Sequence, residues 1–210
     1  MGVPARPVSF PSGDLILEGL LDLPAMTPSP GIVVCHPHPL YGGDMHSSVV
    51  ATLCETAVAC GVAALRFNFR GVGGSEGSHS GGPGERSDAA GALTYLRGLP
   101  EIDAARVALA GYSFGALIAL MAADAQLKAV IAVSAPTADD WSSQVSVACP
   151  VLFVSGDRDE YCDPEALQHI ASAIGPNADL VVMSGADHFW WGAEKRLAQA
   201  VSAFLREHLL

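Results

Sequence analysis

Residues 106–123 read RVALAGYSFGALIALMAA, and this stretch decides the fold. The apolar run at 106–110 predicts a β-strand, and the apolar run at 114–123 predicts an α-helix. Between them lies the pattern G-x-S-x-G, which places Ser113 at the apex of a sharp strand-to-helix turn. Glycine is needed at 111 and 115 because only a residue without Cβ fits beside so tight a turn. The turn is expected to hold Ser113 in strained dihedral angles above the helix N-terminus, where unpaired N–H groups favour negative charge.

A chain with 22 glycines can contain G-x-S-x-G by chance, so the pattern alone is weak evidence. The strands and helices predicted around it make it informative. Strands are predicted at residues 8–10, 15–23, 31–36, 62–69, 106–110, 128–134, 150–155 and 180–183. Helices are predicted at residues 47–60, 85–97, 114–123, 164–174 and 193–209. The first two strands flank the turn cluster PSGD and predict an antiparallel hairpin. The run GIVVCH, which lacks polar alternation, is typical of a strand that is buried on both faces.

Strands and helices alternate after this hairpin, and such alternation requires crossover connections between parallel strands. The sequence therefore predicts an α/β fold, a mostly parallel eight-stranded sheet with helices on both faces. We find no internal repeat or linker, so residues 1–210 are expected to form one domain. Only residues 135–149 separate the sixth strand from the seventh, which is too short a connection for a helical lid domain.

Charge and cysteine content narrow the choice of partners. The formal net charge of −11 disfavours nucleic acid and anionic membrane surfaces, and the sequence contains no basic patch. No secretory signal and no membrane-spanning apolar run are evident. The five cysteines form no C-x-x-C pair and are expected to be reduced thiols of a cytoplasmic protein, although a disulfide between Cys149 and Cys162 remains an alternative.

A serine hydroxyl near neutral pH needs a base within hydrogen-bond distance and an acid that orients the base. His188 follows the last strand, so it is expected at the same sheet edge as the Ser113 turn. The loop after the strand at 150–155 offers Asp157, Asp159 and Asp163 as candidate acids. We favour Asp159, because three residues past Gly156 the chain has cleared the strand end. Asp157 is the alternative, with a role in bracing the loop as its other interpretation.

Acyl transfer also requires N–H groups that stabilise a developing oxyanion. The amide of Phe114, the residue after the serine, is the first candidate donor. The second must come from the loop CHPHPLY at 35–41, where the prolines carry no N–H, so the candidates are His38, which we favour, and Leu40.

Two binding alternatives compete with this interpretation. The set His36, His38, Asp44 and His46 suggests a metal site, but its spacing matches no standard zinc motif and the prolines restrict convergence of the side chains. The glycine-rich run RGVGGSEG at 70–77 suggests a dinucleotide site, but Glu76 stands where G-x-G-x-x-G requires glycine. The sequence thus predicts no metal and no cofactor.

The runs HPHPLYGGDMHSSVV, RFNFRGVGGSEG, GYSFGA, SGDRDE and GADHFW together resemble small bacterial α/β-hydrolases grouped with the dienelactone hydrolases. The resemblance covers nearly the whole chain. It implies an α/β-hydrolase fold with eight strands, no cofactor, and a catalytic triad of Ser113, Asp159 and His188. Dienelactone hydrolases proper use a cysteine nucleophile, whereas this chain has serine at that position, so the resemblance implies hydrolase chemistry more firmly than a substrate.

An enzyme without a lid offers little apolar surface for a long acyl chain. We therefore expect hydrolysis of short-chain carboxylesters or thioesters, with a small acyl compound as the binding partner and the oligomeric state left open. The alternatives are a small serine peptidase of the same fold and a non-catalytic binding protein on that fold. Candidate pocket residues are the aromatic side chains Tyr41, Tyr161 and Trp190, followed by Phe114, Trp141 and Trp191.

Overall fold

The structure is a computed structural model that describes residues 5–138 and 141–210. Its strands are β1 (Arg6–Ser12), β2 (Leu15–Asp22), β3 (Ser29–Cys35), β4 (Ala63–Phe67), β5 (Ile102–Tyr112), β6 (Ala129–Val133), β7 (Val151–Gly156) and β8 (Ala178–Met183). Its α-helices are α1 (Ser48–Ala59), α2 (Pro83–Arg97), α3 (Phe114–Met121), α4 (Pro164–Ile174) and α5 (Glu194–His208). Short 3-10 turns lie at Pro39–Tyr41 and Ser142–Gln144.

The eight strands form one sheet in the order β1-β2-β4-β3-β5-β6-β7-β8. The strands from β4 across to β8 run parallel, whereas the β1–β2 hairpin is antiparallel and joins β4 antiparallel as well. The predicted α/β-hydrolase fold is therefore confirmed, including the initial hairpin. Every residue of β3 is buried, as its unbroken apolar run predicted.

Helices cover both faces of the sheet. Helices α1 and α5 pack on one face through side chains such as Leu53 and Leu197. Helices α2, α3 and α4 pack on the other through side chains such as Leu93, Ile118 and Leu167. Parallel strands with both faces covered bring all their carboxyl ends to one edge of the sheet, and side chains from several loops can meet there.

The structure shifts two strand ends near that edge. Strand β5 continues two residues beyond the predicted end because Gly111 and Tyr112 still pair with β6. Strand β4 ends at Phe67, two residues early, because the chain then leaves the sheet to make other contacts. The Asn68 side chain donates to Glu18, and the Phe69 amide donates to the ring of His36.

The connection between β6 and β7 contains, in its described part, one 3-10 turn at Ser142–Gln144 and no α-helix. Positions 139 and 140 lie outside the described residues. This agrees with the prediction that no lid domain is inserted there. All five cysteines are free thiols, including the candidate pair Cys149 and Cys162. Within the described ranges, none of the helices combines the length and apolar character needed to cross a bilayer.

Candidate active site

Ser113 sits at the turn between β5 and α3 with φ 56° and ψ −122°, a backbone region that residues with a side chain rarely adopt. The packing of the neighbouring glycines enforces this turn. A Cβ at Gly111 would collide with the backbone of Gly115, and a Cβ at Gly115 would collide with the carbonyl of Cys35. The Ser113 amide donates to Val133 of β6 at 2.9 Å, which ties the strained residue to the sheet. The serine hydroxyl is thereby presented at the carboxyl edge of the strands.

His188 lies in the loop between β8 and α5, and its Nε2 is 3.0 Å from the Ser113 Oγ. A buried bond holds this loop: the phenol of Tyr112 donates to the His188 carbonyl at 2.8 Å. Desolvation raises the pKa of Tyr112, so the phenol keeps the proton that it donates. The side chain of Asp187 accepts the amides of Phe189 and Trp190, which closes the turn after the histidine. The backbone on both sides of the imidazole is therefore fixed.

Asp159 approaches the other ring nitrogen. Its Oδ1 and Oδ2 lie 2.8 and 3.0 Å from His188 Nδ1. The Oδ1 atom also accepts the amides of Tyr161 and Cys162 at 3.0 and 3.1 Å, which fix the orientation of the carboxylate. Ser113, Asp159 and His188 are only 9, 8 and 8% exposed, so little water competes for these bonds.

The two other candidate acids of this loop, Asp157 and Asp163, have different hydrogen-bond partners from Asp159. Asp157 Oδ1 accepts the amide of Gly185 at 2.6 Å, and that bond holds the pKa of the Asp157 carboxyl below its usual range. Asp157 thus joins the loop after β7 to the turn after β8. Asp163 caps α4 by accepting the amide of Glu165.

The loop after β3 packs against the serine turn, where a second oxyanion donor is needed. The Leu40 amide donates to His38 Nδ1 at 3.2 Å, so Leu40, the alternative donor, is engaged by its neighbour's ring. Across residues 5–138 and 141–210, the amides of His38 and Phe114 form no hydrogen bond. The two residues are adjacent, since their rings lie 4.8 Å apart.

His36 is buried and stabilises the loop after β3 through hydrogen bonds. Sequence analysis considered this residue only as a metal ligand. Its Nδ1 lies 2.6 Å from the Pro37 carbonyl, and its Nε2 accepts the Phe69 amide at 3.0 Å. Burial lowers the pKa of His36 to about 4, because the neutral ring fits these partners and a charged ring would be desolvated. Asp44, from the same candidate metal set, accepts the His46 amide. The described parts of the chain hold no group of three or more metal-ligating side chains.

Sequence analysis missed two further residues. Tyr112 precedes the serine on β5, and its tie to the His188 loop joins positions that are distant along the chain. The ring of His79, in the loop before α2, lies 4.9 Å from the His38 ring and 5.7 Å from the Phe114 ring. His79 Nδ1 lies 3.0 Å from buried Glu85. No local motif marked His79, because its neighbours come from three separate parts of the chain.

The aromatic residues expected to line a pocket divide into two groups. Trp190 is fully buried, packs in the core under α5, and donates from its indole to the Ser134 hydroxyl at 3.0 Å. Its assignment to the pocket was wrong, because φ 62° turns this residue away from the surface. Trp141 is buried too and donates to the Pro136 carbonyl. Tyr161 lies 4.7 Å from the His188 ring and Tyr41 lies 4.8 Å from the His38 ring, and both are exposed.

Comparison with known proteins agrees with this fold. Residues 83–204 match the dienelactone hydrolase family. An uncharacterized protein of Rickettsia prowazekii is 31% identical over 188 residues, which cover 84% of this chain and 79% of the relative. An α/β serine hydrolase homologue from Coxiella burnetii is 34% identical with a TM-score of 0.84, over 98% of each chain. A serine hydrolase without a lid from Xanthomonas campestris is 31% identical with a TM-score of 0.86, over 100% of this chain and 97% of the other.

Proposed function

This chain belongs to the dienelactone hydrolase family and is an α/β-hydrolase, and from this premise we propose that Ser113, His188 and Asp159 hydrolyse short-chain carboxylesters or thioesters through an acyl-enzyme. One observation carries the proposal. A continuous chain of hydrogen bonds runs from the Ser113 hydroxyl through both nitrogens of His188 to Asp159, with distances of 3.0 and 2.8 Å. A weak nucleophile, a base and an orienting acid in this order are what acyl transfer to serine requires.

Acylation uses the two nitrogens of His188 differently. Asp159 accepts a hydrogen bond from Nδ1–H, which keeps the ring proton on Nδ1 and leaves Nε2 unprotonated, so Nε2 takes the proton from Ser113 Oγ. As the Oγ–carbon bond forms, the carbonyl electron pair moves onto oxygen. The amides of Phe114 and His38 bind this oxyanion, and the N-terminus of α3 adds a favourable field. The bond to the leaving group then breaks, and the Nε2 proton goes to the departing alcohol or thiol.

Deacylation repeats these steps with water as the nucleophile. His188 takes a proton from water, and the hydroxide attacks the acyl carbon. Collapse of the second tetrahedral intermediate returns the proton to Ser113 and releases the acid. Asp159 stays ionised throughout and stabilises the imidazolium that forms in each half-reaction.

The short connection between β6 and β7 supports small acyl groups as substrates. The described connection between β6 and β7 has no helical lid that could enclose a long acyl chain. Hydrolysis of p-nitrophenyl esters should therefore be faster for butyrate than for palmitate. A faster rate on the palmitate would contradict this assignment of substrate size.

Labelling with a fluorophosphonate probe tests the nucleophile directly. The wild type should become labelled at Ser113, and Ser113→Ala should lose both the label and several orders of magnitude in kcat while its Tm is retained. His188→Gln should lose activity to a similar extent. His169→Gln, at an exposed position on α4, is the matched control and should behave as the wild type. Wild-type esterase activity in Ser113→Ala would refute the proposal.

A further inference from the structure

Three exposed aromatic side chains gather beside the proposed base. Tyr161, Phe189 and Trp191 are 56, 51 and 77% exposed, and we call them the aromatic rim. The rings of Tyr161 and Phe189 lie 4.7 and 5.7 Å from the ring of His188. Phe189 and Trp191 stack on each other at 5.6 Å with an interplanar angle of 30°. A clustered apolar surface of this kind next to reactive groups is typical of a binding site rather than of scattered surface hydrophobics.

The rim is held in place by the residue between its two stacked rings. Trp190 is fully buried, and its indole donates to Ser134 at 3.0 Å, so it anchors the loop to the core. The amides of Phe189 and Trp190 both donate to the side chain of Asp187. The two outer rings are therefore displayed on a constrained turn, which lowers the entropy cost of stacking a ligand on them.

The stereochemistry of acyl transfer determines which part of a substrate meets the rim. In the tetrahedral intermediate, the oxyanion points toward the amides of Phe114 and His38. The leaving oxygen must lie near His188 Nε2, because that nitrogen delivers its proton. Tyr161 and Phe189 pack on the ring of His188, which delivers that proton, so we assign them to the leaving-group side. Tyr41 and His79 pack on His38, on the oxyanion side.

We propose that the aromatic rim binds the leaving group and selects esters of uncharged aromatic or arylmethyl alcohols. This inference rests on the proposed function for the position of the leaving oxygen. Aromatic rings favour offset-stacked or edge-to-face partners over aliphatic groups of similar size. The carboxylates of Asp187 and Glu160, in the same two loops as the rim, disfavour a leaving group that carries negative charge.

Substrates matched for intrinsic reactivity test the selectivity. The acetates of 2-naphthylmethanol and decahydronaphthalen-2-ylmethanol both release primary alcohols with bicyclic groups of similar size, so their comparison isolates recognition of the aromatic ring. We expect kcat/KM to be about tenfold higher for the naphthylmethyl ester, from contacts with two rings. Trp191→Ala and Phe189→Ala should each lower that ratio to about threefold, because each substitution removes one of the two rings. A ratio unchanged by both substitutions would overturn the proposal.

Met26→Ala is the control for loss of exposed apolar surface. Met26 is 83% exposed and lies between β2 and β3, at the sheet edge opposite the site. This variant should keep the tenfold preference. A loss of the preference in Met26→Ala as well would mean that the effect does not belong to the rim.

Tryptophan fluorescence measures binding without catalysis. Of the three tryptophans, Trp141 and Trp190 are 3 and 0% exposed, so Trp191 is the accessible one. In Ser113→Ala, 4-nitrobenzyl alcohol should quench emission saturably, and the added substitution Trp191→Phe should abolish the quenching. Purely linear quenching, or none, would overturn the proposal about the rim and leave the proposed hydrolase function standing. Saturable quenching together with full esterase activity in Ser113→Ala would instead refute the proposed function.

Discussion

Replacing Asp159 with asparagine changes the site by one atom and removes one negative charge. The Oδ1 atom of Asp159 accepts two backbone amides, from Tyr161 and Cys162, at 3.0 and 3.1 Å. Those two donors would hold the asparagine oxygen at the Oδ1 position. The new NH₂ group would then occupy the Oδ2 position, 3.0 Å from His188 Nδ1. An NH₂ group there favours an unprotonated Nδ1, which moves the ring proton to Nε2.

The size of the effect follows from that tautomer. With a proton on Nε2, His188 cannot accept the proton of Ser113, and the missing charge no longer stabilises the imidazolium. Loss of this orientation in a Ser-His-Asp site lowers kcat by about 10⁴. Because the Oδ1 position remains within 2.8 Å of Nδ1, part of the population can keep the productive tautomer. We therefore expect kcat/KM to fall by about 10³ to 10⁴.

Initial rates on p-nitrophenyl butyrate measure this loss, and Asp157→Asn is its matched control. Asp157 lies in the same loop but binds the amide of Gly185 at 2.6 Å instead of the imidazole. Asp157→Asn should lower activity by less than about tenfold, and it should lower the Tm slightly because the bond to the Gly185 amide is weakened. If Asp157→Asn abolishes activity while Asp159→Asn retains it, the assignment of the acid is refuted.

Three further predictions concern residues that hold the site. Burial lowers the pKa of His36 from 6.5 to about 4. The neutral ring therefore contributes its full stabilisation above pH 6.5. This contribution of about 3 kcal/mol is lost as the pH falls toward 4. Urea titrations at pH 7 and pH 4 should show a smaller loss of unfolding free energy in His36→Gln than in the wild type. Tyr112→Phe removes the 2.8 Å bond to the His188 carbonyl. It should reduce kcat and lower the Tm by the equivalent of about 1–3 kcal/mol. An unchanged Tm and rate would contradict the role of the phenol. Gly115→Ala drives a methyl group into the carbonyls of Cys35 and His36 at the end of β3 and should give inactive protein with a lower Tm. Gly98→Ala is the control, because a Cβ there would lie 3.5 Å from its nearest neighbours, and it should melt as the wild type does.

The order and type of the strands and helices could be read from local patterns. Buried parallel strands require unbroken apolar runs, and covering helices require amphipathic ones, so each element carries its own signal. The order in which strands lie in the sheet carries no such signal. Two features depend on long-range pairing instead. Strand β4 lies between β2 and β3 in the sheet, and the hairpin joins the sheet antiparallel through β2.

Local sequence was also sufficient to propose Ser113 and His188. The first lies in a turn whose glycines are required by steric contact, and the second follows the last strand of an alternating chain. Aromatic character was misleading for Trp190, which was expected to line the pocket. The left-handed backbone at this position directs the indole into the core, and local sequence does not encode that direction.

The amino-acid sequence by itself determined a covered parallel sheet, a glycine-flanked serine turn, and an acid and a histidine in loops at the same edge. Short-range sterics and hydrophobic periodicity act within a few residues, so they can be read locally. Only the tertiary structure decided that Asp159 rather than Asp157 contacts the imidazole, that His36 and Tyr112 brace the loops, and that Trp191 rather than Trp190 faces solvent. Those outcomes depend on hydrogen bonds and packing between loops that are far apart along the chain, and such contacts exist only once the sheet has assembled.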